Sequence, residues 1–298
     1  MKNTTSIDPT TLTTVQVHKI LLTAVAPRPI AFASTIDADG NVNLSPFSFF
    51  NVFSANPPIL IFSPARRVKD NTTKHTLENV KEVKEVVINI VNYPIVEQMS
   101  LASTEYEKGE NEFVKAGFTE VPSLKVKPPR VAESPVSFEC EVDEIIELGN
   151  EGGAGNLIIS KVVQIHINNE YLDANGDLDT KKLDLVARLG GSWYSRVTED
   201  SLFEIPKPIA TKGIGVDQLP SHIFDTEILS NNNIGRLGNV ERIPSDEEIE
   251  AFKSNLEINT VLKITDAKTR LLELHKLAKR HLENDEIILA SKTIFSIK

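Results

Sequence analysis

The chain is poor in sulfur and short of positive charge, with one Cys, two Met, and 32 Lys+Arg against 42 Asp+Glu in 298 residues. Its lone Cys140 can close no internal disulfide, which points to the cytosol. A net charge of −10 argues against general nucleic-acid binding, which needs a basic footprint, and against an anionic membrane surface as main partner. No apolar run approaches the roughly 18–20 residues of a membrane helix. Residues 1–16 are Thr-rich and polar, without the apolar stretch of a secretory signal. The six histidines show no metal-ligand spacing, and C-x-x-C and G-x-S-x-G are both missing, so nothing supports a zinc enzyme or a hydrolase.

Three further patterns fail on inspection. Gly213-Ile214-Gly215 begins a G-x-G-x-x-G, but Gln218 breaks it and no strand precedes it. Gly152-Gly153-Ala154-Gly155 lacks the Lys-Ser/Thr of a phosphate-binding P-loop. Asp173, Asn175, Asp177 and Asp179 have calcium-loop spacing, yet Leu178 stands where an EF-hand has Gly and Asp184 where it has Glu. A hairpin turn is the better reading.

What the chain does have is strands. Residues 29–36 (PIAFASTI) are apolar and β-prone, Asp37-Ala38-Asp39-Gly40 is a turn signal, and residues 42–52 form the second arm of a hairpin. Residues 59–62, 86–91, 136–148 and 157–167 read as further strands. Residues 76–84 read as a helix with Thr76 at its N-cap, residues 93–101 as a short helix, and residues 108–117 as a loop or broken helix. Long crossover helices are missing, which favours an antiparallel barrel over a doubly wound sheet. After Pro206-Lys207-Pro208 the character changes. Residues 206–298 are loop-rich to about Pro244 and then helical, opening on Ser245-Asp246-Glu247-Glu248 and carrying a stripe of Leu271, Leu274, Leu277 and Ala278. His275 and His281 are expected on a solvated face of that helix. The division is therefore a body, 1–205, and a partly helical extension, 206–298, packed on the body or on a partner subunit.

Candidate chemistry concentrates in the body. Arg66, Arg67, Lys69 and Lys74 form a basic patch in an acidic protein, with Ser63, Thr72, Thr73 and Thr76 interleaved and a helix start beside it. Cations, hydroxyls and a helix N-terminus are what a phosphate dianion needs; a solvated basic loop ahead of a capped helix fits the same spacing. Ser45, Ser48 and Asn51 recur beside Phe47, Phe49 and Phe50, where half-buried polar groups need partners that a heteroaromatic ligand, or ordinary turn chemistry, would supply.

The stretch R-P-I-A-F-A-S-T-I-D-A-D-G-N-V-N-L-S-P-F-S-F-F-N resembles the flavin reductase-like, FMN-binding split-barrel family, which includes the flavoredoxins. Asn56-Pro57-Pro58, Lys74-His75-Thr76-Leu77-Glu78-Asn79, residues 128–135 (PPRVAESP), Gly149-Asn150-Glu151-Gly152-Gly153 and Arg188-Leu189-Gly190-Gly191 follow in the family's order, over about residues 20–205. The resemblance implies a mainly β fold: a six-stranded antiparallel split β-barrel of Greek-key type with short helices, dimerising, with FMN near each side of the interface. It implies that Ser34 and Thr35 face the flavin. Ser45, Pro46, Phe47, Ser48, Phe49 and Asn51 would line the ring, largely through backbone groups. Ser63, Arg66, Lys74 and Thr76 would hold the phosphate. His75 replaces the family's usual Asp, so a shifted register using Lys69 and Thr72 is the alternative. Arg28 or backbone N–H groups near 45–50 would stabilise the reduced ring, and Trp193 and Tyr194 would close over it or pack as ordinary core. The family contains NAD(P)H-dependent flavin reductases, with NADH or NADPH as donor, and FMN electron carriers fed by a partner protein; split barrels also host haem or pyridoxal phosphate. Because a flavin does the redox chemistry itself, no essential acid–base residue is expected of this chain.

Overall fold

A computed structural model describes residues 3–205 and 211–297. The Asp37–Gly40 turn forms because Asp37 Oδ1 accepts from the N–H groups of Asp39 at 3.1 Å and Asn41 at 2.8 Å. Gly40 takes a φ of +88°, which favours glycine. The turn joins β1 (Ala31–Ile36) to β2 (Val42–Phe47), with Ala31 opposite Phe47 and Ile36 opposite Val42. Ahead of it lies α1 (Thr14–Ala24), started by a Thr13/Gln16 capping box. Beyond it come β3 (Phe50–Ala55), β4 (Pro58–Phe62), α2 (His75–Glu82), β5 (Glu85–Ile90), α3 (Val96–Leu101) and α4 (Glu112–Ala116). Then follow β6 (Glu120–Val121), β7 (Arg130–Val131), β8 (Val136–Glu147), β9 (Asn156–Ile167), α5 (Thr180–Leu183), β10 (Val186–Arg188) and β11 (Tyr194–Arg196).

Seven strands pair antiparallel in the order β2-β1-β5-β8-β9-β4-β3, while β6–β7 and β10–β11 are separate two-stranded ladders. The two edge strands, β2 and β3, are joined by Ser48 and Phe49 alone. Three residue steps span at most ~10 Å, whereas the edges of a flat seven-stranded sheet lie ~29 Å apart. The sheet must therefore curl until its edges meet without pairing, which is a split barrel. The sequence stretch 42–52 is thus two strands rather than one, and the main sheet has seven strands where six are expected. The step at Ser48-Phe49 carries the chain from one edge to the other.

The barrel interior holds Ala31, Ala33, Phe47, Leu60, Phe62, Val86, Ile88, Cys140, Val142 and Ile158, closed by Leu77 and Val80 of α2. The outer face of β1 is buried too: Ile30, Phe32 and Leu44 pack under Ile95, Met99, Phe113 and Phe118. Burial on both faces explains why 29–36 is a continuous apolar run without alternation. Bulges at Glu139/Cys140 and Val142/Glu144 bend β8 around the barrel. Glu139 has no exposed surface, and its carboxylate accepts from the N–H groups of Leu124 (2.8 Å), Lys125 (2.6 Å) and Val126 (3.3 Å) and meets His166 Nε2 at 2.6 Å. Burial pushes its pKa up, but the Leu124, His166 and Lys125 bonds outweigh it and hold the group below the usual range.

The chain separates into two compact units, Met1–Phe203 and Glu204–Lys298. The second unit contains α6 (Asn231–Gly238), α7 (Asp246–Lys253), α8 (Leu256–Leu262), α9 (Ala267–Glu283) and α10 (Ile287–Phe295). Its core has one part around Ile223, Leu237, Leu282 and Ile294 and another around Ile258, Leu274 and Leu277. The Gly213-Ile214-Gly215 segment serves packing: a Cβ at Gly213 would lie 2.6 Å from the Gly238 carbonyl. His275 and His281 are buried, contrary to the solvated face expected of them. α9 packs against both α8 and α10, so its covered face is wider than the leucine stripe. His275 stacks on His222, with Nε2 2.9 Å from His222 Nδ1, and His281 bonds Glu286 at 2.7 Å. No helix among the described residues is long and apolar enough to cross a membrane.

Candidate functional site

The basic loop 63–74 is tied to the glycine-rich loop that precedes β9. Arg66 N–H donates to Ala154 O (2.8 Å) and Gly153 N–H to Arg66 O (3.0 Å). Asn156 N–H donates to Ser63 Oγ at 3.0 Å, and its side-chain amide donates to Pro64 O at 2.7 Å. A Cβ at Gly152 would lie 3.0 Å from Arg67 O, and one at Gly155 2.8 Å from Ser63 Oγ. The glycines of 149–155 therefore let two backbones touch.

Within this loop most cations are committed. Arg66 grips Asn71, Nε to Oδ1 at 2.7 Å and Nη2 to the carbonyl at 2.8 Å, and so holds Asn71 at a φ of +58°. Arg67 pairs with Glu105 at 3.0 Å and donates to Thr72 Oγ1 and Thr73 O; Lys69 pairs with Glu105 at 2.6 Å. Lys74 has no ion pair among the described residues. It occupies the N-cap of α2, where no side chain caps the helix. Burial, then the Arg67 charge, push its ammonium below the usual lysine pKa. A partly desolvated cation at an uncapped helix start is a ready seat for a phosphate. Lys69 and Thr72, the alternative pair, are already engaged, Thr72 by Asp70 and Arg67.

Thr76 is not the N-cap. It lies in the first turn of α2, fully buried, and its hydroxyl donates to Asn43 Oδ1 at 2.8 Å. Asn43 donates in turn to the buried Glu112, which also accepts from Leu44 N–H; burial pushes the Glu112 carboxyl up despite these bonds. Ser34 and Thr35 are buried neighbours on β1 and face opposite sides of the sheet. Thr35 accepts from Asn79 at 3.1 Å, while Ser34 Oγ has no partner among the described residues. Arg28 spends its donors on the Leu22, Val25 and Leu189 carbonyls (2.6, 2.7 and 3.1 Å), tying the end of α1 to the turn after β10.

The 45–51 segment runs along the split. Ser45, Pro46 and Ser48 are half-buried, Phe47 is buried, and Phe49 and Asn51 are exposed. Ser63 N–H donates to Phe49 O at 2.8 Å, which sets the start of the basic loop beside this segment. A cavity of about 220 Å³ opens at Pro46, Phe47 and Ser48, walled also by Met99, Arg188 and Tyr194. Trp193 is 76% exposed and outside that wall, whereas Tyr194 lies beneath the Arg188 guanidinium at 4.5 Å. Sequence reasoning missed Arg188 and Met99 as cavity residues; the Arg188-Leu189-Gly190-Gly191 motif was the available signal. Gly190 is required there, since a Cβ would lie 2.4 Å from Thr23 Oγ1 of α1. No group of three His, Cys, Asp or Glu among the described residues could hold a metal ion.

A model of the flavin reductase like domain matches residues 24–182, more than half of the chain. The chain belongs to that family. An Aquifex aeolicus protein is 39% identical over 177 residues, 59% of this chain and 88% of the relative. A Halalkalibacterium halodurans protein is 37% identical over 204 residues, 68% of this chain and 96% of the relative. Among solved structures, nitrilotriacetate monooxygenase component B from Bacillus cereus is 28% identical, with a TM-score of 0.64 over 69% of this chain and all of that one. The mainly β split-barrel reading of the fold agrees with these matches, and the helical unit lies beyond the family model.

Proposed function

We propose that the Met1–Phe203 unit of this flavin reductase-like protein binds FMN and passes hydride to it from NADH or NADPH. The observation that carries the reading is Lys74, a half-buried cation without an acid partner at the uncapped start of α2, in a protein with ten excess negative charges. Lys74, the first-turn N–H groups of α2 and Ser63 suit a phosphate dianion. Each such contact is worth roughly 0.3–1 kcal/mol when exposed and up to ~2 kcal/mol when partly buried. Backbone groups of 45–50, linked to the phosphate loop through Ser63 and Phe49, then lie along the ring, and their N–H groups oppose the charge it gathers on reduction.

Bound flavin supplies the redox chemistry itself. The chain contributes placement and water exclusion and moves no proton through a side chain. Its buried acids are occupied structurally, Glu112 by Asn43 and Leu44 and Glu139 by the 124–126 backbone. The reading includes a homodimer in the cytosol. β3 exposes Val52 and Phe53, α1 exposes Val15, Ile20 and Leu21 while burying nothing, and Val25 just beyond it is exposed too.

The test is the visible spectrum of the purified protein with FMN, then with NADH and NADPH under nitrogen. A flavin spectrum that bleaches with either nucleotide is the expected result, with FMN affinity falling about tenfold in Lys74→Ala. A protein that takes up no FMN overturns the reading. A yellow protein that neither nucleotide bleaches overturns the nicotinamide step and leaves an electron carrier fed by a partner protein.

A further inference from the structure

The cavity beside 46–48 has a chemistry that flavin binding does not use. One side is apolar: Ile30, Phe47 and Met99 are all buried there. The other side is cationic and hydroxylated. Arg188 lies over the Tyr194 ring at 4.5 Å, a cation–π contact that holds its guanidinium at the wall. It makes one side-chain hydrogen bond, to Gly191 O at 2.9 Å, and has no carboxylate partner among the described residues. Arg196, eight residues on, shows what this chain does when an arginine is structural: both prongs of its fork hold Asp184, at 2.7 and 2.8 Å.

Arg28 sharpens the contrast. Its backbone pairs with that of Arg188 in both directions, so two arginines meet with no acid between them. Arg28 is neutralised in part by three carbonyls, whereas most of the Arg188 fork is free. Hydroxyls complete the wall. Ser48 Oγ takes Arg28 Nε as a donor at 3.5 Å, which leaves its own proton to give, and Ser100 Oγ has no partner among the described residues.

We propose that this cavity is a subsite for a small organic anion, a carboxylate on a compact apolar body, read by Arg188 together with Ser48 and Ser100. A guanidinium fork takes a carboxylate through two parallel hydrogen bonds, and the apolar wall takes the body of the molecule. About 220 Å³ accommodates a single ring, since an apolar cavity of roughly 150 Å³ already takes benzene, and not a dinucleotide. The inference rests on the flavin reading for its purpose, since 46–48 would also line the ring: a reducible acid held there would be the acceptor, taking from the reduced flavin the electron pair that NADH or NADPH had given it.

Benzoate is a suitable probe, with benzamide as its uncharged isostere. Trp193 is the one tryptophan of the chain and adjoins Tyr194, so its fluorescence reports on the site. In the full-length protein benzoate is expected to bind roughly 10- to 100-fold more tightly than benzamide. That preference should vanish in Arg188→Met, which keeps the apolar stem. Ser100→Phe, an exposed substitution that fills the mouth, should weaken both ligands, and it serves if Arg188→Met fails to fold. Equal affinities for benzoate and benzamide, or a preference that survives Arg188→Met, would overturn the proposal, as would inorganic phosphate displacing benzoate at equal concentration. A separate titration with FMN keeps the two readings apart. FMN uptake without benzoate preference sinks the subsite alone; benzoate preference without FMN uptake sinks the flavin reading and leaves a carboxylate site.

Discussion

Among the described residues, the buried acids Asp37, Glu112 and Glu139 all lie in the barrel unit, and the buried histidines His275 and His281 both lie in the helical unit. Glu139 is surrounded by backbone N–H groups of 124–126, and Glu112 by Leu44 N–H and the Asn43 amide. His222 and His275 instead satisfy each other, and His222 Nε2 donates to the Ile294 carbonyl at 3.2 Å. The difference follows from the backbone. Strand ends, bulges and loops leave N–H groups that seek an acceptor, and a carboxylate accepts several at once. Helices consume their own N–H groups except in the first turn and offer spare carbonyls at their ends. A buried polar side chain near a helix end is therefore better as a donor.

Removing the acceptor in the barrel gives the largest expected effect. Glu139→Ala strands the 124–126 N–H groups and His166. Val126 is buried while Leu124 and Lys125 are exposed, so at roughly 1–3 kcal/mol for a buried group left unpaired and less for the others, the barrel should lose about 3 kcal/mol in urea unfolding followed by Trp193 fluorescence. A loss under ~1 kcal/mol would mean that water solvates the loop readily and that the carboxylate is not its anchor.

Acid should separate the two regions. Burial lowers the pKa of His275 from 6.5 to about 4, and that of His222 also falls, with no carboxylate acting on either ring. The unfolded chain therefore binds protons that the folded pair refuses. The helical unit keeps this stability above pH 6.5 and loses it as pH falls toward 4, by roughly 3 kcal/mol for His275. Glu139 is shifted in the same direction but over a lower window: its depressed pKa stabilises the fold above its ordinary value of 4.5, and that contribution is lost only as pH falls below it. Between pH 6.5 and 4.5 the far-UV helical signal should weaken toward denaturant while the Trp193 signal holds. His275→Phe keeps the stack but removes the titrating ring. It should reduce that pH dependence to what His222 contributes, at a cost of about 1–2 kcal/mol at neutral pH, because His222 Nδ1 loses its donor.

The same contrast governs what could be read from residues alone. The 37–40 turn, the 29–36 strand and the basic loop were legible because their causes are local: Asx hydrogen bonding, a mostly apolar β-prone run, clustered charge. The strand change at Ser48-Phe49 was not, since polar and aromatic residues continue through it and only barrel closure demands it. Nor was the distinction between Lys69 and Lys74. Lys69 is neutralised by Glu105, thirty-six positions away, and spacing within the loop carries no trace of that partner. His275 was misplaced for the same reason, its partner His222 lying fifty-three positions upstream.

The smallest effect belongs to a feature that was legible in full. Ser245 Oγ accepts from Glu248 N–H at 3.3 Å, and Glu248 returns a bond to Ser245 N–H at 3.0 Å, with three acids in the first turn of α7. Ser245→Ala should cost the helical unit about 1 kcal/mol. Glu248 would keep its pairing with Arg242, and nothing in the His222–His275 pair would change. The acid-titration profile of the variant should therefore shift down uniformly and keep its slope between pH 6.5 and 4. A changed slope would tie the cap to the histidine pair, and the acid sensitivity of this unit would then belong to its helix ends rather than to buried imidazoles.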